Sequence, residues 1–414
     1  MIETREQWRS WVTPKALRST PIHRWYAFPH SFTAELVEAL IDEWNLTEWD
    51  HILDPFAGAG TTVLAAKARG IPATGCDLSP FAAFVSRVKT RDYNLAGLEE
   101  CWTTLERRIR RASPGDAKGE YPELVRQALP PGILGTLESL EKRIAGLPAC
   151  SKNRDFFRLA LLSVIPYYSR AVATGGWLKW VPKRTKKTSI PRAFADRVGA
   201  MLNDLRTAPL PKGRYWKHET ADARNLPWAN GQFSAIITSP PYPNRHDYTR
   251  VFGVELMFAF LSWEETRRLR YQSIHSHPEA RPKRPPSRSY VAPTGLEQIL
   301  SQMEVAGLDA KILSMLNGYF LDMHLCLKEA KRVAVSGARL GFVVGNAQYR
   351  GYPLPVDEYV AELGESTGLK CERIIAVRLR GNSAQQMGEF GRQPSRESIV
   401  VFQKLPSRCR RQQH

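Results

Sequence analysis

A chain of 414 residues is long enough for one large hydrophobic core or two ordinary ones. Its 43% hydrophobic and 24% charged residues mark a globular protein and exclude a disordered one. The formal net charge of +18 is a statement about partners and points to a polyanion.

No apolar run approaches the roughly 18 residues of a membrane span, and the longest, Leu159 to Tyr168, is broken by Pro166. Met1 to Arg5 lacks a signal-peptide core, and the six cysteines form no Cys-x-x-Cys pair. The expectation is a cytoplasmic protein with free thiols, no metal site and no contact with membrane.

Residues 1–30 are rich in Trp, Pro and His and read as irregular. Ser31 to Trp44 predicts a helix, with Phe32, Leu36, Leu40 and Trp44 recurring every four residues and Ser31 or Thr33 as cap. His51 to Asp54 reads as a short strand running into Pro55-Phe56-Ala57-Gly58-Ala59-Gly60. Thr61 to Arg69 is then a helix stopped by Gly70. Pro72 to Asp77 is a second strand, and Ser79-Pro80 opens the next helix with a cap and an N1 proline. Strand, helix, strand, helix implies a parallel sheet with right-handed crossovers.

The pattern then changes. From Arg91 to Tyr215 helical periodicity dominates, in Leu98 to Ile109, Gly132 to Ile144, Asp155 to Leu162 and Phe194 to Leu205. This is read as a helical insertion, residues 91–214. The core resumes with Trp216 to Thr220, followed by Asp222, and with Phe233 to Ile237, which leads into Thr238-Ser239-Pro240-Pro241-Tyr242. Phe252 to Leu261 and Leu296 to Ala330 read as helices, and Arg339 to Gly345 as a strand. Residues 264–295 read as a basic Pro-rich loop, since five prolines fall between Pro278 and Pro293. Cys371 to Leu379 and Glu397 to Phe402 alternate and are expected to pair antiparallel, and 404–414 form a basic tail.

Two stretches carry chemistry. Consecutive prolines at 240 and 241 forbid helix and further sheet pairing, so the chain leaves its strand in a stiff turn that gathers the Ser239 hydroxyl, backbone carbonyls and the Tyr242 ring. Gly58 and Gly60 lie between a strand and a helix, where backbone comes close to a ligand and the helix N-terminus offers free N–H groups. Leu64 stands where a dinucleotide fingerprint needs its third glycine.

Together, Asp54-Pro55-Phe56-Ala57-Gly58-Ala59-Gly60-Thr61-Thr62 and Ser239-Pro240-Pro241-Tyr242 resemble the paired motifs of the S-adenosylmethionine-dependent amino-methyltransferases of DNA. The resemblance covers about residues 20–90 and 215–405 and leaves the insertion unmatched. It implies an α/β fold: a seven-stranded, mostly parallel Rossmann-like methyltransferase sheet with an antiparallel terminal hairpin. The core would be discontinuous, 1–90 and 215–405. The segment Pro21 to His30 is similar to the one that packs beside the methionine end of the cofactor.

By the same resemblance, S-adenosyl-L-methionine is the cofactor. Asp54 meets its ammonium, and Pro55 and Phe56 belong to the same loop, Phe56 as an apolar contact. Gly58 and Gly60 line the approach, and Thr61 or Thr62 reaches its carboxylate. Asp77, 17 residues after Gly60 at a strand end, takes the ribose hydroxyls. Asp222 matches the acid that binds the adenine amino group. Ser239, Pro240, Pro241 and Tyr242 are catalytic. An exocyclic amino nitrogen is a poor nucleophile while its lone pair is conjugated. Acceptors that draw its two hydrogens out of plane free that pair, and Ser239 Oγ with the Pro240 carbonyl are assigned that work. Tyr242 stacks on the base, which must first be flipped out. Methylation at carbon 5 of cytosine would need a Pro-Cys nucleophile, and nucleotide hydrolysis a Gly-Lys-Ser/Thr loop; neither occurs. Asn244 to Tyr248 reads as a pocket-shaping loop rather than as acid–base machinery.

The expected function is N4 methylation of cytosine in double-stranded DNA. N6-adenine methylation, an RNA amino-methyltransferase and a catalytically dead DNA-binding protein are the alternatives. A cognate restriction or defence-system component is a further expected partner. Ser151 to Arg192 holds ten Lys/Arg against Asp155, and Thr266 to Tyr290 seven against Glu279. Within them Lys183, Arg184, Lys186 and Lys187 are expected on phosphates, and Arg281, Lys283, Arg284 and Arg288 near base edges.

Overall fold

The computed structural model describes residues 1–110, 118–174, 177–182, 188–213, 215–282, 289–380 and 395–406. Its centre is an eight-stranded sheet. The strands are β1 (Ile2–Thr4), β2 (Ile52–Asp54), β3 (Ala73–Asp77), β4 (Trp216–Thr220), β5 (Phe233–Thr238), β6 (Ala334–Gly345), β7 (Lys370–Arg380) and β8 (Ser395–Gln403). They lie in the order β1-β7-β8-β6-β5-β2-β3-β4. Only β8 runs antiparallel to its neighbours; every other pairing is parallel.

Period-2 alternation sorts the side chains of these strands into two cores. Leu53, Ile236, Leu340, Phe342, Val400 and Phe402 face one cluster, with the helices Ala310–Val333 and Val356–Ser366 over them. Ile52, Ala235, Ile237, Val343, Ile399 and Val401 face the other, covered by α1 (Ala34–Glu43) and α2 (Thr61–Ala68). Both faces are thus buried, as a mainly parallel sheet requires. Helix α3 (Pro80–Thr90) starts as expected, with Pro80 at its first position and the Ser79 hydroxyl accepting the Ala82 N–H.

Between α3 and β4 stand the helices Leu95–Arg110, Glu123–Ala128, Pro131–Ala145, Ser151–Tyr168 and Ile190–Thr207. They share one apolar cluster with α3 and with Trp25, Tyr26 and Phe28 of the N-terminal segment. Asp204, fully buried on the last of these helices, pins that segment by accepting the Ile22 backbone N–H at 2.9 Å and the Trp25 indole N–H at 3.0 Å. Among the described residues no helix is long and apolar enough to cross a membrane.

Several expectations need correction. The sheet has eight strands rather than seven, because Ile2–Thr4, read as irregular, pairs in parallel with β7 at the edge; three residues are too few to show a period. The insertion also contains an antiparallel ribbon, Ala171–Thr174 with Trp177–Trp180. Its signal was legible in Gly175-Gly176 between β-branched and aromatic residues. Residues 264–295 are not all loop: Trp263–Gln272 is a helix, opened by a reciprocal cap between Ser262 and Glu265. The run from Leu296 to Ala330 is two helices, Leu296–Val305 and Ala310–Val333, parted near Gly307 at φ +79°. Thr33 occupies the N-cap of α1 without a side-chain bond, and the Ser31 hydroxyl meets Thr61 instead. Lys404, the start of the expected tail, is bound to the sheet through Ala338 and Ala334.

Candidate active site

The glycine loop leaves β2 at Asp54, a residue 2% exposed. Its Oδ1 accepts the Thr238 hydroxyl at 2.6 Å and the Phe56 N–H at 3.1 Å. Thr238 is the last residue of β5, so one carboxylate ties the glycine loop to the root of the Pro-Pro turn. Asp77, at the end of β3, accepts the Gly58 N–H at 3.0 Å and the Ser79 N–H at 2.8 Å. Gly58 (φ +49°) and Gly60 (φ +82°) adopt left-handed backbone, and a Cβ on Gly60 would lie 2.1 Å from Ser86 Oγ. Burial pushes the carboxyls of Asp54 and Asp77 up to about 6, against the hydrogen bonds that favour their charge.

These strand ends open on a cleft walled by Phe28, Phe56, Gly58, Asp77, Asp222, Ser239, Pro241, Tyr248 and Phe252. Phe28 lies on Phe252, ring centres 4.3 Å apart. Asp222, two residues beyond β4, is held by the buried Arg224 through both carboxylate oxygens at 3.0 Å. Arg224 continues to Asp322 at 2.7 Å, and Asp322 accepts the His275 backbone N–H at 3.0 Å. The guanidinium and His275 hold the Asp322 carboxyl below its ordinary value despite its burial.

A second cavity lies on the other side of the turn, bordered by Val12, Pro29, His30, Ser239, Pro240, Tyr242, Asn244, Tyr248, Val343, Arg378 and Glu397. Its wall is fixed locally. The Tyr349 hydroxyl donates to the Pro243 carbonyl at 2.6 Å, and the Tyr242 ring rests on Gly345, where an added Cβ would fall 2.7 Å from it. Asp247 caps the helix Tyr248–Val251, accepting the Thr249 N–H at 2.9 Å, and pairs with Arg270 at 2.7 Å. That occupation suits a structural acid. His30 lies against His246 with ring centres 4.3 Å apart. His30, Ser239 and Tyr248 border both cavities.

Pro55, Phe56, Gly58, Asp77, Asp222, Ser239 and Pro241 therefore stand together on the first cleft, and Ser239, Pro240 and Tyr242 on the second. Asp54 lies beneath the loop rather than on the cleft wall. Gly60 packs on Ser86. Thr61 and Thr62 turn away from the cleft: Thr61 meets Ser31, and the Thr62 hydroxyl donates to the Ile237 carbonyl at 3.2 Å. Lys183, Arg184, Lys186, Lys187, Lys283, Arg284 and Arg288 lie outside the described residues. Arg281 is exposed, with its guanidinium 5.5 Å from the Tyr271 ring centre. Sequence reasoning missed Arg224, Phe252, Arg378 and Glu397. Only Arg224, two positions from Asp222, stood near enough to a motif to be found.

A sequence model of the DNA methylase family matches residues 3–85. The Type II methyltransferase M.BsoBI of Geobacillus stearothermophilus is 29% identical, over 96% of this chain and 88% of that protein. The Type II methyltransferase M.AvaI of Nostoc is 27% identical, over 96% of this chain and 89% of its own length. The Type II methyltransferase M.MjaII of Methanocaldococcus jannaschii is 31% identical over 20% of this chain.

Proposed function

We infer, from a chain that belongs to the S-adenosylmethionine-dependent amino-methyltransferases of DNA, that it methylates the N4 amino group of a cytosine flipped out of a duplex. The observation that supports this reading is the pair of cavities meeting at Ser239, His30 and Tyr248. One cleft suits the methyl donor, the other the base, and transfer belongs where their walls coincide.

The first cleft fits a cationic nucleoside. Its residues offer carboxylates at Asp77 and Asp222, aromatic faces at Phe28 and Phe56, and a close backbone at Gly58. Bound S-adenosylmethionine supplies an electrophilic methyl on a sulfonium. Asp77 would take the ribose hydroxyls and Asp222 the adenine amino group, its carboxylate oriented by Arg224. Asp54 acts near the ammonium from below the loop, through water or by charge. In the second cavity Ser239 Oγ and the Pro240 carbonyl accept the two amino hydrogens and localise the nitrogen lone pair. Tyr242, backed by Gly345, stacks on the ring. The cofactor would supply the methyl carbon to that nitrogen, its sulfur leaving with the bonding electrons, and the nitrogen would shed a proton to solvent. Positioning and preorganised acceptors carry the rate. The runner-up, N6 of adenine, presents the same amino hydrogens to the same acceptors.

The insertion would meet the duplex. Trp180 at the end of its ribbon is 46% exposed and shares a shallow groove with Arg126 and Arg170, a combination suited to backbone contact. Lys183, Arg184, Lys186 and Lys187 would extend that role, Arg281, Lys283, Arg284 and Arg288 would read base edges, and a cognate nuclease is the partner that goes with a site-specific modification enzyme.

Ser239→Ala tests the reading. With duplex DNA and labelled cofactor, methyl transfer should fall on the order of 10²-fold or more, as for loss of one key transition-state partner. Cofactor affinity should stay close to wild type, since the hydroxyl addresses the base. Turnover near wild type would remove Ser239 from the chemistry.

A further inference from the structure

Arg378, Glu397 and Gly345 stand on one rung of the sheet: Arg378 pairs with Glu397 across β7 and β8, and Glu397 pairs with Gly345 across β8 and β6. The register shifts between Ala376 and Arg378, and the ion contact and shared cavity lining put the Arg378 and Glu397 side chains on one face. Gly345 carries the Tyr242 ring, so the rung runs from the stacking aromatic to a carboxylate and then to a guanidinium, in steps of about 4.8 Å. Glu397 is 4% exposed and sits 3.4 Å from the guanidinium of the partly exposed Arg378. Both line the second cavity, as do Ser239 and Pro240.

A buried ion pair is a poor stabiliser, because desolvation offsets most of its Coulombic attraction. As part of a cavity lining, the pair of buried Glu397 and partly exposed Arg378 suits a ligand with complementary polarity. The target base has one such edge. In cytosine the amino group is followed by two adjacent acceptors, N3 and O2. In adenine the amino group is followed by one acceptor, N1, and then by the C2–H bond. A guanidinium presents paired donors in a planar fork.

We propose that Arg378 is the residue that selects cytosine over adenine, its fork donating to N3 and O2 while the amino group is held at Ser239 and Pro240. Glu397 is the positioning residue. A carboxylate has no donor for N3 or O2, and its charge keeps the guanidinium at the rung. An adenine in the same pose leaves one guanidinium donor against a C–H bond, and an unpaired buried donor is costly. The proposal rests on the cytosine-directed reading above.

The test uses the full-length protein and a duplex carrying its own target sequence, found by modified-base sequencing. The target position holds cytosine or 3-deazacytosine, which lacks the N3 acceptor. The two bases differ in intrinsic reactivity equally for every variant, so the change in the kcat/KM ratio is the readout. The wild type should favour cytosine by a ratio that collapses in Arg378→Met on the order of tenfold or more, the worth of a bidentate contact. Glu397→Gln should lower it part of the way. Unchanged cofactor affinity certifies the fold, and Arg378→Lys, which keeps the charge and loses the fork, serves if Arg378→Met does not fold. A ratio equal to wild type in the folded Arg378 variant overturns the proposal and leaves the cytosine reading standing. Wild-type DNA bearing N6-methyladenine in place of N4-methylcytosine overturns both.

Discussion

Asp54 joins the two halves of the site and does so against its own solvation. Its Oδ1 holds the Thr238 hydroxyl and the Phe56 N–H, while burial raises its carboxyl to about 6. The unfolded chain releases that proton near the ordinary carboxylate value, so the folded state binds more protons over the interval between. Stability is therefore lost as pH rises from about 4 to about 6, and the loss is complete above that window. Asn at this position can keep both bonds to its own Oδ1 without carrying charge. Asp54→Asn should stabilise the cofactor-free protein by about 1–3 kcal/mol at pH 7, and the gain should vanish near pH 4. Denaturant midpoints at the two pH values check this. A variant less stable than wild type at pH 7 would mean that the Asp54 charge is held by the fold rather than tolerated for the ligand. Asp54, Gly58, Asp77 and Ser239 were legible in the sequence because each sits in a short stretch whose backbone demands are local. Phe252, Arg378 and Glu397 were not, because they reach the site through packing and strand register rather than through a local motif.

At the scale of elements, the strands that face two helical layers were readable from their apolar runs, and the helices from their four-residue recurrence. The short edge strand Ile2–Thr4 was not read, since three residues give little period to detect, and the Ala171–Trp180 ribbon was not read although Gly175-Gly176 signalled it in the sequence. Strand order follows from pairings that no local pattern encodes, and it is the order that sets β6 beside β5 and brings Gly345 under Tyr242. That contact makes a prediction for the element. Gly345→Ala places a Cβ 2.7 Å from the Tyr242 ring, and the ring must move while the strand is otherwise unstrained. Methyl transfer at saturating cofactor should drop on the order of 10- to 100-fold, the scale of a misplaced reacting group. Cofactor affinity should not change. Steady-state kinetics with equilibrium binding measure both, and an equal loss in affinity would put Tyr242 in the cofactor's cleft instead of the base's.

For the molecule as a whole, the central claim is that one face of the sheet's C-terminal edge gathers a methyl-donor cleft and a base cavity about a single serine. The sequence of the insertion disclosed its charge and its helices, but not that Asp204 would pin it to the N-terminal segment beside the site. This contact fixes the insertion to the N-terminal segment, and the chain charge of +18 favours a polyanionic substrate. The most direct measurement is modified-base sequencing of DNA from cells that express the wild-type chain or Ser239→Ala. The account predicts N4-methylcytosine at one recurring short sequence in the first and none in the second. DNA without amino-methylated bases in the wild-type cells, or the same methylation in both, would contradict it.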